Sequence, residues 1–225
     1  MRQVSVLFAR SDSCYNELVA DVWDIKRDAR NYSGSNAVIC HPPCRGWGRL
    51  RHLAKPRPDE KALALFALEQ VRRCGGVLEH PLGSSLWHEA NLPKPGFFDA
   101  WGGWTLLVDQ GWFGHKAPKP TYLYICGVTS TQVPELPVKL QRAEGRTMRL
   151  TPAERELTPV EFARFLLAIA AQAVVPARCN TDLAAVSGSN NELAVTSSLA
   201  RCNTHLVKKT AAEKRAAFRS FAGVR

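Results

Sequence analysis

Two side chains in this sequence occupy positions suited to chemistry, Cys44 and Glu79. Cys44 follows a short apolar run, Ala37-Val38-Ile39-Cys40, that ends in His41-Pro42-Pro43 and continues as Arg45-Gly46-Trp47-Gly48. A buried strand that stops at prolines and a glycine-flanked turn delivers one side chain to the rim of an α/β sheet. A second run, Gly76-Val77-Leu78-Glu79-His80-Pro81, repeats the arrangement with a carboxylate. A thiol and a carboxylate at the carboxyl ends of two strands make a candidate nucleophile and proton donor in one crevice. A cysteine titrates near ~8.5 and needs help to ionise. Arg45, or a helix amino terminus after the turn, is the expected source.

The elements that must position this pair follow from periodicity. Val4–Phe8 reads as a first strand, Ser11-Asp12-Ser13 as the start of a short helix through Leu18, and Asp21–Ile25 as a second strand. Asp59 and Glu60 suit the dipole at the start of a helix; Leu63, Phe66, Ala67, Gln70 and Val71 form its apolar stripe, and Gly75-Gly76 ends it. With the strands on either side this makes a parallel strand–helix–strand unit. Trp104–Val108 and Thr121–Ile125 are two further apolar runs. Thr158-Pro159-Val160-Glu161 reads as a capping box with proline at the first helical position, opening a closing helix with Phe162, Phe165, Leu166 and Ile169 on its apolar stripe.

The chain has 225 residues, 45% of them apolar, enough for one α/β domain plus an appendage. No apolar run approaches the ~18 residues that span a bilayer. The short apolar start meets Arg10-Ser11-Asp12 at once, so it reads as a strand rather than a signal peptide. A cytoplasmic protein with no membrane partner is expected. Thirty Lys and Arg against twenty Asp and Glu give +10, which favours a polyanionic partner, nucleic acid above all. Residues 176–225 hold eight basic and three acidic side chains, half of that excess. The domain is therefore expected to span 1–175, with 176–225 a basic, flexible or weakly helical tail. Within it Ala177–Leu183 is echoed by Ala200–Leu206, too few copies for a repeat architecture.

The seven cysteines form no Cys-x-x-Cys pair and are odd in number, as free thiols would be. Cys40, His41 and Cys44, with His80 or His88, have a permissible Cys-x3-Cys spacing but no matching second pair, so no metal site is expected.

A Pro-Pro-Cys turn followed, one helix later, by a Glu-x-Pro turn resembles the DNA cytosine-5 methyltransferases. Over residues 37–127 the chain is more closely similar to small bacteriophage-borne members with a His-Pro-Pro-Cys turn, a Glu-His-Pro turn and a Gly-His-x-x-x-Lys-Pro-Thr segment, here Gly114 to Thr121. The resemblance implies a Rossmann-like methyltransferase core, truncated at the amino end, in a host-cell cytoplasm. It implies that Cys44 adds to C6 of a cytosine flipped out of DNA while Glu79, as the acid, donates a proton to or hydrogen-bonds N3, so that C5 attacks the methyl of S-adenosylmethionine. It suggests a role near the base or the DNA backbone for Gln110, His115, Lys116 and Lys119; the turn residues Pro43, Arg45 and His80 and the basic-loop residues Arg49 and Arg51 are further candidates for contact with the substrate or DNA.

The sequence departs from that pattern at the cofactor loop. The family's Phe-x-Gly-x-Gly is here Phe8-Ala9-Arg10-Ser11-Asp12, without glycine, and only about 35 residues separate the first strand from Cys44. Asp12, Asp21, Asp24 and Asp28 are the candidate cofactor-holding acids. The alternative is a catalytically altered DNA-binding or regulatory protein that keeps the fold and grips phosphates with the loop carrying Arg49, Arg51 and Lys55.

Overall fold

The computed structural model describes residues 2–139 and 149–177. The expected tail, with its internal echo, lies outside the described residues from 178 onward. Along the chain run β1 (Val4–Leu7), α1 (Tyr15–Leu18), β2 (Asp21–Trp23), β3 (Ala37–Cys40), α2 (Glu60–Cys74), β4 (Gly76–Pro81), α3 (Leu86–Glu89), β5 (Trp104–Asp109), β6 (Pro120–Cys126), α4 (Pro152–Glu156) and α5 (Val160–Ala170). The strands form one six-stranded sheet in the order β2-β1-β3-β4-β6-β5. β2, β1, β3 and β4 are mutually parallel, and β6 runs antiparallel to both β4 and β5. This is a mixed α/β fold with a mostly parallel sheet, compatible with a Rossmann-like architecture.

Both faces of the sheet are covered, which is why β3 is apolar at every position. Successive side chains point to opposite faces. Val6, Ile39 and Val77 pack with Phe162, Leu166 and Ile169 of α5, while Leu7, Val38, Cys40 and Leu78 pack with Ala64, Ala67, Leu68 and Val71 of α2. β4 begins at Gly76, where φ is +130° and an added Cβ would lie 2.0 Å from the Val38 carbonyl oxygen, so only glycine lets β3 and β4 approach there. β5 and β6 are joined by only residues 110–119, too short a connection for a helical crossover, so they pair as a hairpin.

The register sets up the crevice. Trp23 pairs with Leu7, Leu7 with Cys40, and Cys40 with Leu78. The next residues in each strand, Asp24, Phe8, His41 and Glu79, therefore stand side by side along the carboxyl edge. β3 stops at Cys40, whereas β4 continues to Pro81 by pairing with β6. Strand order reverses between β1 and β3, the place where open α/β sheets leave room for ligands.

Two Thr-Pro-x-Glu segments precede helices, and only one caps. Thr151 and Glu154 form the reciprocal capping box of α4 with Pro152 in the first turn. The box expected at Thr158 does not form: the N-cap of α5 is Pro159, which has no side-chain donor or acceptor to offer. Thr158 instead gives its carbonyl to the Cys14 thiol, 3.6 Å away, tying the segment before α5 to the start of α1.

Candidate active site

A crevice of about 780 Å³ opens at the carboxyl edge of β1–β4. Its lining joins the loop 8–15, Asp24 and Asp28 on one side to His41–Arg45, Glu79–Pro81 and Lys119 on the other, with Arg155–Thr158 as a third margin. Six Arg and Lys side chains and six Asp and Glu side chains line it, so the crevice carries no net charge despite the basic chain.

Glu79 is the most constrained group in it. His41 Nδ1 donates to Glu79 Oε2 at 3.2 Å, and Gln110 Nε2 donates to Oε1 at 2.9 Å. The other ring nitrogen of His41 lies 3.1 Å from the hydroxyl of Tyr15, a buried residue of α1. Gln110 Nε2 also donates to Thr121 Oγ1 at 3.0 Å, and that hydroxyl donates to the Lys119 carbonyl. Burial alone pushes the Glu79 carboxyl up, but the His41 hydrogen bond and the nearby Lys119 ammonium outweigh it and bring the group down to about 2. The network therefore holds a carboxylate rather than an acid.

Cys44 lies four residues beyond β3, on an exposed turn in which its carbonyl accepts from the amides of Trp47 and Gly48. Desolvation within the crevice raises its thiol pKa, the Glu79 charge adds to that, and Lys119 opposes both. Neither expected source of help for this thiol is in place. The Arg45 guanidinium pairs with the buried carboxylate of Glu60, and the segment after the turn is irregular up to a 3-10 turn at Arg51–Leu53. Lys119 is the cation that favours the thiolate.

The remaining candidates divide by position. Pro43, Arg45 and His80 line the crevice with Cys44 and Glu79. His80 Nδ1 lies 2.7 Å from Ser84 Oγ, and burial lowers the group to about 4 against the opposing pull of Glu79 and the Pro43 backbone, so it is neutral at physiological pH. Gln110 reaches the site only through Glu79. His115 is buried outside the crevice lining, with Nδ1 2.7 Å from the Ala117 carbonyl. Arg49 and Arg51 also lie outside the lining; Arg49 packs against Gly83 and Arg51 reaches the Gly48 carbonyl.

Among the candidate cofactor acids, Asp12, Asp24 and Asp28 line the crevice and Asp21 does not. Asp21 accepts instead from Ser5, Trp23 and Arg27, which fix β2 against β1. Asp24 takes the Ser11 hydroxyl at 2.9 Å and the amides of Lys26 and Arg27. Arg10 and Asp12, in the loop after β1, clamp each other through two 2.8 Å contacts. Phe8 before them adopts φ +62°, a left-handed conformation that is costly for a bulky residue.

Comparison of the chain with protein-family models, curated proteins and solved structures finds no match in any of the three. The site therefore has to be read from its own geometry. Among the described residues no group of three or more His, Cys, Asp or Glu is placed to hold a metal ion, and no helix is long and apolar enough to cross a membrane. Tyr15 and Glu60 are participants that sequence reasoning missed. Both sit on helical stretches where their spacing reads as ordinary packing or capping; Tyr15 lines the crevice against His41, whereas Glu60 lies outside the lining and takes the Arg45 guanidinium.

Proposed function

We propose that this chain is a DNA base-modifying enzyme in which Cys44 adds covalently to a flipped pyrimidine and the activated C5 then accepts a group from an electrophilic donor. The observation that carries the reading is the shared crevice: Cys44, Glu79 and Lys119 line one cavity with the loop after β1 and with Asp24 after β2. A cavity of this size is at the upper end of what a small-molecule site needs, which leaves room for a base beside a donor. The thiol supplies the nucleophile, Glu79 holds the edge of the ring, and Lys119 stabilises the negative charge that addition generates.

A methyl donor such as S-adenosylmethionine fits the balanced charge of this lining better than a polyphosphate would. In this reading Asp24, just beyond the second strand, would take ribose hydroxyls, and the Arg10–Asp12 pair would offer a cation and an anion to an amino-acid zwitterion. When bound, such a donor supplies an electrophilic methyl carbon. The basic excess of the chain, including Arg49 and Arg51 outside the crevice, is suited to the phosphates of a DNA strand.

The test is mass spectrometry of nucleosides from DNA of cells expressing wild type or Cys44→Ala. A modified pyrimidine present only with wild type is the expected result, and its mass identifies the transferred group. Unmodified DNA in both, with the proteins folded, would favour a DNA-binding protein without catalysis. That alternative predicts binding that survives Cys44→Ala and fails when Arg49, Arg51 and Lys55 are neutralised.

A further inference from the structure

Resting on that reading, we propose that the base taken by the crevice is a 4-oxo pyrimidine of the uracil type, whose N3–H donates to Glu79 and whose O4 faces Lys119. The argument starts from the hydrogen-bond inventory around the carboxylate. Both oxygens of Glu79 already accept, Oε2 from His41 Nδ1 and Oε1 from Gln110 Nε2, and each retains a further lone pair. The donors behind it are committed as well: the second His41 nitrogen faces the Tyr15 hydroxyl, and the Gln110 amide also serves Thr121. The pattern keeps Glu79 an acceptor.

Pyrimidines differ at this edge. Cytosine presents a lone pair at N3, so it would need a protonated Glu79 as its partner. Uracil presents N3–H, which a carboxylate accepts directly. The low affinity of Glu79 for protons, set by His41 and Lys119, agrees with the acceptor role.

The chemistry is consistent with the same choice. The Cys44 thiol loses its proton to solvent, the S–C6 bond forms, and the C5=C6 electron pair moves through C4 onto O4. Lys119, which lines the crevice with Cys44 and Glu79 and whose charge acts on both of them, is the cation offered to that oxygen. No acid at N3 is required. Addition to cytosine by the parallel route would instead need a proton at N3, which this network does not hold.

The reversible part of the reaction tests this without any donor. In D2O the C5 enolate takes a deuteron from solvent; loss of the original C5 proton to solvent and expulsion of Cys44 restore the double bond with deuterium at C5. The full chain is incubated with single-stranded oligonucleotides that carry one deoxyuridine or one deoxycytidine in randomised flanking sequence, and the digested nucleosides are weighed. Exchange at uracil about 100-fold faster than at cytosine, abolished by Cys44→Ala, is the expected result. Glu79→Gln, whose amide both donates and accepts, should bring the two bases within about tenfold of each other. Equal or faster exchange at cytosine overturns the base preference while leaving the nucleophile in place. An unchanged preference in Glu79→Gln also overturns it, because another group must then read the ring. Exchange at neither base by folded, DNA-bound protein overturns the covalent reading itself, and the inference with it.

Discussion

The two walls of the crevice hold their charges in opposite ways. On the β1–β2 wall the ion pairs lie at the rim: Arg10 and Asp12 are 35% and 68% exposed, and Arg30 with Asp28 is similarly wet. On the β3–β4 wall His41 and Glu79 are each only 13% exposed and belong to one chain of contacts from Tyr15 through His41 and Glu79 to Gln110 and Thr121. Rim pairs in water contribute little stability and exchange partners readily. A buried network is fixed in advance and fails as a unit. One wall is thus free to rearrange, and the other is fixed in advance.

The contrast breaks most visibly at Glu79. Glu79→Ala leaves the His41 and Gln110 donors facing a void and should cost about 3–5 kcal/mol in guanidinium unfolding. Asp12→Ala on the opposite wall should leave the melting temperature within about 2 °C of wild type. Comparable losses at both positions would erase the distinction.

Acid sharpens it next. His80 is buried neutral at about 4, below its ordinary value near 6.5, so the unfolded chain binds a proton that the folded one refuses. Its contribution is complete above pH ~6.5 and is lost as pH falls towards 4, on the order of 3 kcal/mol in all. Glu79, held at about 2, adds a further loss below its ordinary range. Chemical unfolding as a function of pH checks this, and His80→Gln should remove most of the slope between pH 6.5 and 4.

The smallest effect is expected at the far end of the network. Tyr15→Phe removes one hydroxyl facing His41 and should cost about 1 kcal/mol by the same unfolding assay. A larger loss would mean that Tyr15, and not Glu79, anchors the chain of contacts.

Much of this was legible in the residues. The apolar run into His41-Pro42-Pro43 and the second run into Glu79 located two adjacent parallel strands and the turn between them, because a strand buried on both faces admits little but apolar side chains. The charge states were not legible. Arg45 stands next to Cys44 in sequence but is drawn to Glu60, and the cation acting on the thiol comes from Lys119 at the margin of β6. Sequence neighbours do not reveal spatial ones across a sheet. The capping box was misplaced for a similar reason: Thr151 and Thr158 carry the same local pattern, and tertiary contact at Cys14 decides which of them caps.

The continuous β3–α2–β4 unit also fixes an order of assembly. His41, Cys44 and Glu79 all lie within residues 37–81, so they leave the ribosome together and can meet through contacts close in sequence. Gln110 arrives 31 residues after Glu79, and Lys119 later still, on the hairpin that pairs back onto β4. For that interval a nascent chain carries the thiol and the carboxylate without the lysine that tempers them both. The crevice is complete only when β6 docks, and a chain arrested before that strand has Cys44 and Glu79 without Lys119 beside them.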